Sequence, residues 1–466
     1  MATPEVPRLF GTDGIRMVIG QELTPSLLVA VAEAVAEFVG GEGPVLVARD
    51  FRTTSPGIAR LLAGTLSIHG VDVVEMGAMP TPCLQFNVKE LHARLGLTVT
   101  ASHNPTEFNG VKFTGPEGVE LSREDEVRLE SAVFAHHAPP IRWEAAKTPV
   151  EDTQGIRRYL RSIRQHVDRE AIARHGARVV LDPGNGTSAV TSPTLLRELG
   201  ASVSTLHAQP DGFFPGRPSE PKEENLADLK KAVLEFGAEV GVAHDGDSDR
   251  AAFVDDRGRF VPGEITLALF AQYVLSLHPE ATVVTSVTSS SCVRDVVAQA
   301  KGQLVVTRSG SLPVARAAIA HHAVFAGEEN GGYYWPEHQV ARDGPMSSAK
   351  MLELIARAGR PLSELLDALP RYVVVKSNVP LPKELRVPVV ASVTEALGAE
   401  GAELSTLDGV KAFFPDGWVL VRPSGTEPLC RIFAESRESS RARQLLDLGR
   451  RLVADAQAAF TPPDRA

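Results

Sequence analysis

Asp245, Asp247 and Asp249 alternate through the string DGDSDR, directly after the apolar run EVGVAH. An extended or turning loop can aim all three carboxylates at one point. There they would repel one another unless a cation were shared, and oxygen-only ligands suit Mg²⁺. The run is not an EF-hand: Arg250 stands at the sixth position where glycine is needed, Asp256 stands at the twelfth instead of glutamate, and strand-like segments flank it. The competing reading is a solvated acidic turn.

Ser102 occupies a similar place in TASHNP, just beyond the apolar run GLTVTA. Ser, Asn and Pro are common turn residues, so the string could be a turn and no more. It could equally present a nucleophile on a rigid strand end. A serine that carries phosphate needs cations nearby, because phosphoserine bears about −1.5 to −2 charges at neutral pH. His103 and, in the following NGVKF, Lys112 could supply charge or move protons.

Two further strings suit a phosphorylated sugar. GEENGG offers the carboxylate of Glu328 and the amide of Asn330 on a glycine-backed loop, and sugar hydroxyls need both acceptors and donors. RPSGTEP combines Arg422, Ser424, Gly425 and Thr426 on a short turn, a set of guanidinium, hydroxyls and backbone amides that can grip phosphate. Arg431 follows one strand later, and Arg422 could alternatively pair with Glu427. GTDGIR near the N-terminus reads as a glycine turn ending in Arg16.

One phrase, written three times, must position these strings. PVLVARD, RVVLD and TVVTSV read as buried strands. Each is followed by a Ser/Thr cluster of helix-capping type (Thr54-Ser55-Pro56, Thr191-Ser192-Pro193, Ser289–Ser291), an apolar helix, a glycine and a second strand. Strand, helix, strand at this spacing is a βαβ unit with largely parallel strands. Each copy then runs through another apolar strand into one polar loop, carrying Ser102, Asp245 or Glu328. Open α/β sheets bind ligands at the carboxyl ends of their strands, so three equivalent ends predict one cleft lined by three domains.

From about Pro370 the pattern breaks into RYVVVKS, a hairpin turning at Asp416-Gly417 and a closing helix from about Ser439 to Phe460. The expected fold class is α/β: three related α/β domains with mostly parallel sheets (1–147, 148–253, 254–368) and a C-terminal α+β domain (369–466) around a central cleft. HHAPPIRW, residues 136–143, reads as part of a linker.

Composition narrows the setting. A formal charge of −10 over 466 residues speaks against a general nucleic-acid binder. The three cysteines, Cys83, Cys292 and Cys430, form no CxxC pair, so a disulfide framework or structural zinc site is not expected. With no signal-peptide-like start and no membrane-length apolar run, the reading is a cytoplasmic protein without membrane partners.

In this order, GTDGIR, TASHNP, DGDSDR, GEENGG and RPSGTEP resemble the five signatures of the α-D-phosphohexomutase superfamily, from residue 9 to about 436. The resemblance implies an isomerase-class phosphotransferase that interconverts hexose 1-phosphate and 6-phosphate through a phosphoserine and a hexose 1,6-bisphosphate intermediate. Carried over by motif, Ser102 would hold the phosphate, and its phosphate oxygen with Asp245, Asp247 and Asp249 would hold one Mg²⁺. Glu328 and Asn330 would read sugar hydroxyls; Arg422, Ser424, Gly425 and Thr426, with Arg431 nearby, would hold the phosphate that is not reacting. Arg16, His103, Lys112 and Arg250 would surround the phosphoryl in transfer, with Lys112 as general acid/base. The chain departs from better-known bacterial members at Met17, where glycine is common, and in GEENGG, where Asn330 replaces serine and Gly332 histidine; TRSGS near residues 307–311 lacks a closing histidine. GEENGG and SGTEP are similar to the archaeal-type branch, which holds phosphoglucosamine mutases and phosphomannomutase/phosphoglucomutases; glucosamine phosphate is the favoured substrate. The alternatives are a Mg²⁺-dependent sugar phosphatase and a non-catalytic sugar-phosphate binder. The oligomer expected is a monomer or homodimer.

Overall fold

The computed structural model describes residues 9–11, 13–135, 138–425 and 427–460. Its first three sheets share one core. In the first, Val45–Arg49 lies between Val73–Ala78 and Leu95–Val99, all parallel, and Phe108–Thr114 returns antiparallel beside Leu95–Val99. In the second, Arg178–Asp182 lies between Ser202–Thr205 and Val240–His244, with Ala251–Asp255 returning. In the third, Thr282–Ser286 lies between Gln303–Thr307 and Phe325–Gly327, with Tyr333–Trp335 returning. The crossover helices are Ser55–Ile68, Ser192–Glu198 and Ser291–Gln299. Each polar loop singled out in the sequence is thus the turn between the third parallel strand and its antiparallel neighbour.

The sheets are mixed, because antiparallel strands flank each parallel core. Ile15–Val18 pairs with Phe108–Thr114, bringing GTDGIR beside the serine hairpin. Val150–Glu151 joins the first sheet, and Ala251–Asp255 and Phe260–Val261 complete the second. The divisions expected at 147 and 253 therefore fall just short of where these sheets end.

Leu95–Val99 and Val240–His244 are buried along their whole length, as strands with both faces covered must be. Of the hydroxyls read as helix caps, Ser290 caps its helix, accepting from the Cys292 amide at 3.0 Å. Thr54 instead accepts from Asn109 Nδ2 at 2.8 Å, and Thr191 donates to the Ser188 carbonyl at 3.3 Å. Such hydroxyls take whichever local backbone or side-chain partner is best placed.

One apolar core runs through all three α/β domains, from Leu46 and Cys83 through Val179 and Val242 to Phe270 and Trp335. The C-terminal domain, an antiparallel sheet backed by Arg386–Ala399 and Ser439–Phe460, has its own core around Val389, Val421, Ile432 and Leu445. It meets the third domain at a small apolar seam of Val287 with Trp418, Leu420 and Phe433. A separate core and a narrow seam are what allow a domain to move as a unit. All three cysteines are free and buried, and among the described residues no helix is long and apolar enough to cross a membrane.

Candidate active site

Ser102 sits at the end of Leu95–Val99 with φ +51°, a left-handed conformation that non-glycine residues adopt only when their surroundings impose it. Its surroundings are explicit. The Arg52 guanidinium is wholly buried, and its five N–H donors reach Asp50 Oδ2 and the carbonyls of Ser102, Asn104, Pro105 and Phe108 at 2.6–3.2 Å. The second domain adds the Ser219 hydroxyl, which donates to the Ser102 carbonyl at 3.1 Å. It also approaches with Gly246, where a Cβ would lie 2.6 Å from that same carbonyl; only glycine lets the two hairpins come this close. The result aims Ser102 Oγ at Asp245 Oδ2, 2.9 Å away, with His103 Nδ1 at 3.2 Å.

Asp245, Asp247 and Asp249 are all buried, each offering an oxygen within 4.8 Å of the others. Asp247 Oδ2 accepts from Thr81 Oγ1 at 2.6 Å and pairs with Lys112 Nζ at 2.8 Å. Asp249 Oδ2 pairs with Lys112 at 3.0 Å and Arg342 at 2.8 Å. Asp13 gathers the same cations: Lys112 at 2.8 Å, Arg16 at 2.9 Å and Arg342 at 3.0 Å. Arg250 stands beside Asp249 at 3.8 Å. Four carboxylates thus face four cations.

The residues present fit a dication. Asp247 Oδ1 and Asp249 Oδ1 are buried without a hydrogen-bond partner, the mark of acceptors meant for something not carried by the chain. Burial, then Asp249 and Asp247, raise the Asp245 carboxyl well above the usual range, and Arg250 and Lys112 offset this only in part. A phosphate on Ser102 and a dication beside it would bring opposite charges of similar size, leaving the balance of the cluster nearly unchanged.

His103 is pushed down to about 2 by the Arg250 guanidinium first, then by burial and Arg16, and stays neutral. Burial would lower Lys112, but Asp13, Asp247 and Asp249 outweigh it and drive its pKa up. A dication shared by Asp247 and Asp249 would weaken that upward pull on Lys112.

At the third hairpin, Glu328 Oε1 accepts from the Gly310 amide at 2.9 Å, while its buried Oε2 has no partner. Asn330 Oδ1 accepts from the Gly332 amide at 3.0 Å. The first hairpin touches the second through Ser102 and Asp245, the second touches the third through the Ala251 amide and the Gly331 carbonyl at 3.0 Å, and strand Gln339–Arg342 of the third domain reaches back to the N-terminal turn of the first through Arg342 and Asp13.

In the C-terminal domain Arg422 Nε donates to Asp408 Oδ2 at 2.6 Å. Glu427, the partner considered for Arg422, pairs instead with the half-buried Arg431. Ser424 is buried and its hydroxyl accepts from the Glu427 amide; Gly425 is exposed; Thr426 lies outside the described residues. Arg386 braces this turn through the Gly425 and Glu427 carbonyls.

Sequence reasoning missed Asp13, Arg52, Thr81, Ser219, Arg342 and Asp408. One signal was available: the buried runs PVLVARD and RVVLD of the first two repeats both close on an aspartate, Asp50 and Asp182, and in the structure each aspartate holds an arginine.

Family models of phosphoglucomutase/phosphomannomutase match in order along the chain: alpha/beta/alpha domain I over residues 7–139, domain II over 157–258, domain III over 262–372 and the C-terminal domain over 375–449. A phosphoglucomutase/phosphomannomutase of Thermococcus kodakarensis is 39% identical, with 96% of this chain and 99% of that one covered. A probable phosphoglucosamine mutase of Methanopyrus kandleri is 40% identical, covering 94% and 96%. The crystal structure of a phosphoglucomutase/phosphomannomutase family protein from Burkholderia thailandensis superposes with a TM-score of 0.86 at 27% identity, covering 96% and 97%. The phosphatase alternative finds no support among them. With all four domains matched in sequence and fold, the chain belongs to the phosphoglucomutase/phosphomannomutase family of phosphohexomutases.

Proposed function

We propose that the chain interconverts hexose 1-phosphate and hexose 6-phosphate by carrying a phosphate on Ser102. The observation that supports this most is the contact between Ser102 Oγ and Asp245 inside a buried cluster of carboxylates and cations at the ends of equivalent strands. In the first transfer the free hydroxyl of a hexose monophosphate attacks phosphorus and the bond to Ser102 Oγ breaks. The hydroxyl proton ends on Ser102 Oγ, where Asp245 and His103 lie within hydrogen-bonding distance. The 1,6-bisphosphate then turns in the cleft, and its other phosphate returns to Ser102. Lys112, Arg16 and Arg250 surround the phosphoryl with positive charge, which such transfers need more than covalent help. Asp245, Asp247 and Asp249 would hold one Mg²⁺, which would neutralise charge on the moving group.

Glu328, with its unpartnered Oε2, and Asn330 read sugar hydroxyls. Arg422, Ser424, Gly425 and Thr426 grip the spectator phosphate, with Arg431 at their edge. One grip must serve both orientations of the sugar, which favours placing it on a domain with its own core.

Relatives named for glucose, mannose and glucosamine phosphates match at nearly equal identity, which supports broad use of the sugar. Glucosamine 1-phosphate is the favoured substrate in this reading, and the cytoplasm, where hexose phosphates occur, is the favoured location. The test is to incubate the protein with Mg²⁺ and the 1-phosphates of glucosamine, mannose and glucose in turn. The expected products are 6-phosphates without inorganic phosphate, with kcat/KM values within about a hundredfold. Intact mass should show one phosphate adduct, absent in Ser102→Ala, which should not turn over. Full activity in Ser102→Ala would end the phosphoserine mechanism; a preference beyond about a thousandfold would end broad specificity.

A further inference from the structure

The C-terminal domain touches the third domain at two places of different character. One is the buried seam, where Lys411 Nζ donates to the Val287 carbonyl at 2.8 Å and the Glu435 carboxylate accepts from the Ser291 amide at 3.0 Å. The other lies at the cleft, on the turn before strand Val410–Phe414. There Asp408 Oδ2 accepts from Arg422 Nε at 2.6 Å within its own domain and from the Ser309 amide at 3.1 Å across the boundary. Arg308 Nε donates to the Leu407 carbonyl at 3.0 Å, closing the same junction from the other side. The next amide along, Gly310, is the one that donates to Glu328 Oε1.

These contacts form a continuous chain from Arg422 through Asp408 and the Ser309-Gly310 amides to Glu328. Asp408 engages Arg422 only at Nε, and among the described residues the two Nη groups have no hydrogen-bonding partner. A side-on carboxylate at Nε fixes the plane of the guanidinium while leaving its outer edge for a bidentate phosphate. The turn is also geometrically held: Gly409 has φ +73°, and a Cβ there would lie 2.3 Å from the Val421 carbonyl, so the strand bearing Arg422 runs directly beneath Asp408.

We propose that Asp408 is a positioning residue that joins the phosphate grip of the C-terminal domain to the loop carrying Glu328, so that gripping the phosphate and presenting the sugar-reading carboxylate occur together. This rests on the roles given above to Arg422 and Glu328. Asp408 itself touches no reacting atom.

The test uses Asp408→Ala and Asp408→Asn in the full chain, with thermal unfolding to confirm that both fold. Amide hydrogen exchange over residues 303–312 of the free protein should speed up about tenfold or more at Ser309 and Gly310 in both variants, with the buried seam unchanged. For glucose 1-phosphate, kcat/KM should fall about 10- to 100-fold, chiefly through KM, and Asn should retain more than Ala. Because part of the Asp408 effect runs through Arg422, the double variant Asp408→Ala/Arg422→Ala should be worse than Arg422→Ala alone by much less than the loss in Asp408→Ala itself. Fully multiplicative losses, or exchange at Ser309 and Gly310 equal to wild type, would overturn the proposal. A wild-type protein without mutase activity would refute the site reading instead, and the exchange measurement would still decide whether Asp408 holds the loop.

Discussion

The serine and metal hairpins are braced differently from the sugar hairpin, although all three grow from the same strand order. Beneath the first, Asp50 and Arg52 form a buried pair whose guanidinium holds four loop carbonyls. Beneath the second, Asp182 pairs with buried Arg217 at 2.7 Å, and that arginine donates to the His244 carbonyl, just before Asp245, at 2.7 Å. Beneath the third, among the described residues, no charged side chain hydrogen-bonds the hairpin backbone: Thr285 Oγ1 donates to the Gly327 carbonyl, just before Glu328, at 2.9 Å. A planar guanidinium fixes several acceptors at once, whereas a hydroxyl supplies one donor. The loops proposed to hold the reacting atoms are therefore locked harder than the loop proposed to read the sugar. In-line transfer loses rate steeply with small misplacements, while binding a hydroxyl tolerates more.

The strongest challenge to this contrast is at the metal hairpin itself. Asp247→Asn should lower kcat by about a thousandfold, because one of three anionic ligands becomes neutral, and EDTA should abolish wild-type turnover until Mg²⁺ is restored. Turnover that survives EDTA would remove the dication from the second hairpin.

Arg52→Lys keeps the charge beneath Ser102 but replaces the planar fork with a point donor. A fall of about a hundredfold in kcat with KM within about threefold is expected from steady-state kinetics. Phosphate content of Ser102 by intact mass should fall in parallel, which a loss of general stability alone would not produce at temperatures where the variant stays folded.

Outside the three hairpins, Arg422→Ala should act on the ground state and the transition state alike, raising KM about 10- to 50-fold with kcat little changed. An effect on kcat alone would move Arg422 to the reacting phosphate and set the C-terminal grip beside the first two hairpins.

The smallest effect belongs to the third hairpin. Thr285→Val removes two buried hydrogen bonds, to the Gly327 carbonyl and with the Ser289 hydroxyl, at nearly constant volume, for a stability loss of about 2 kcal/mol by denaturant titration and less than about fivefold in kcat/KM. A loss in Thr285→Val as large as that in Arg52→Lys would erase the difference between the braces.

The five polar strings were legible because each is contiguous and follows an apolar strand, so local pattern alone put Ser102, the three aspartates, Glu328 and Arg422 at strand ends or turns. The threefold repeat was legible for the same reason: burial of a strand covered on both faces dictates a run of apolar side chains, and that run recurs. What the chain could not declare locally is which charge meets which. Asp13 and Arg342 pair across 329 positions, Thr81 reaches Asp247 across 166, and Asp408 meets Ser309 across 99. A single Asp or Arg carries no periodicity, so its partner is chosen only when separate sheets pack. The same packing decided that the Lys112 ammonium stands among three carboxylates, Asp13, Asp247 and Asp249. Local order wrote the reactive groups into the sequence; the low-dielectric contact between domains decided their charge, their partners and the direction in which each points.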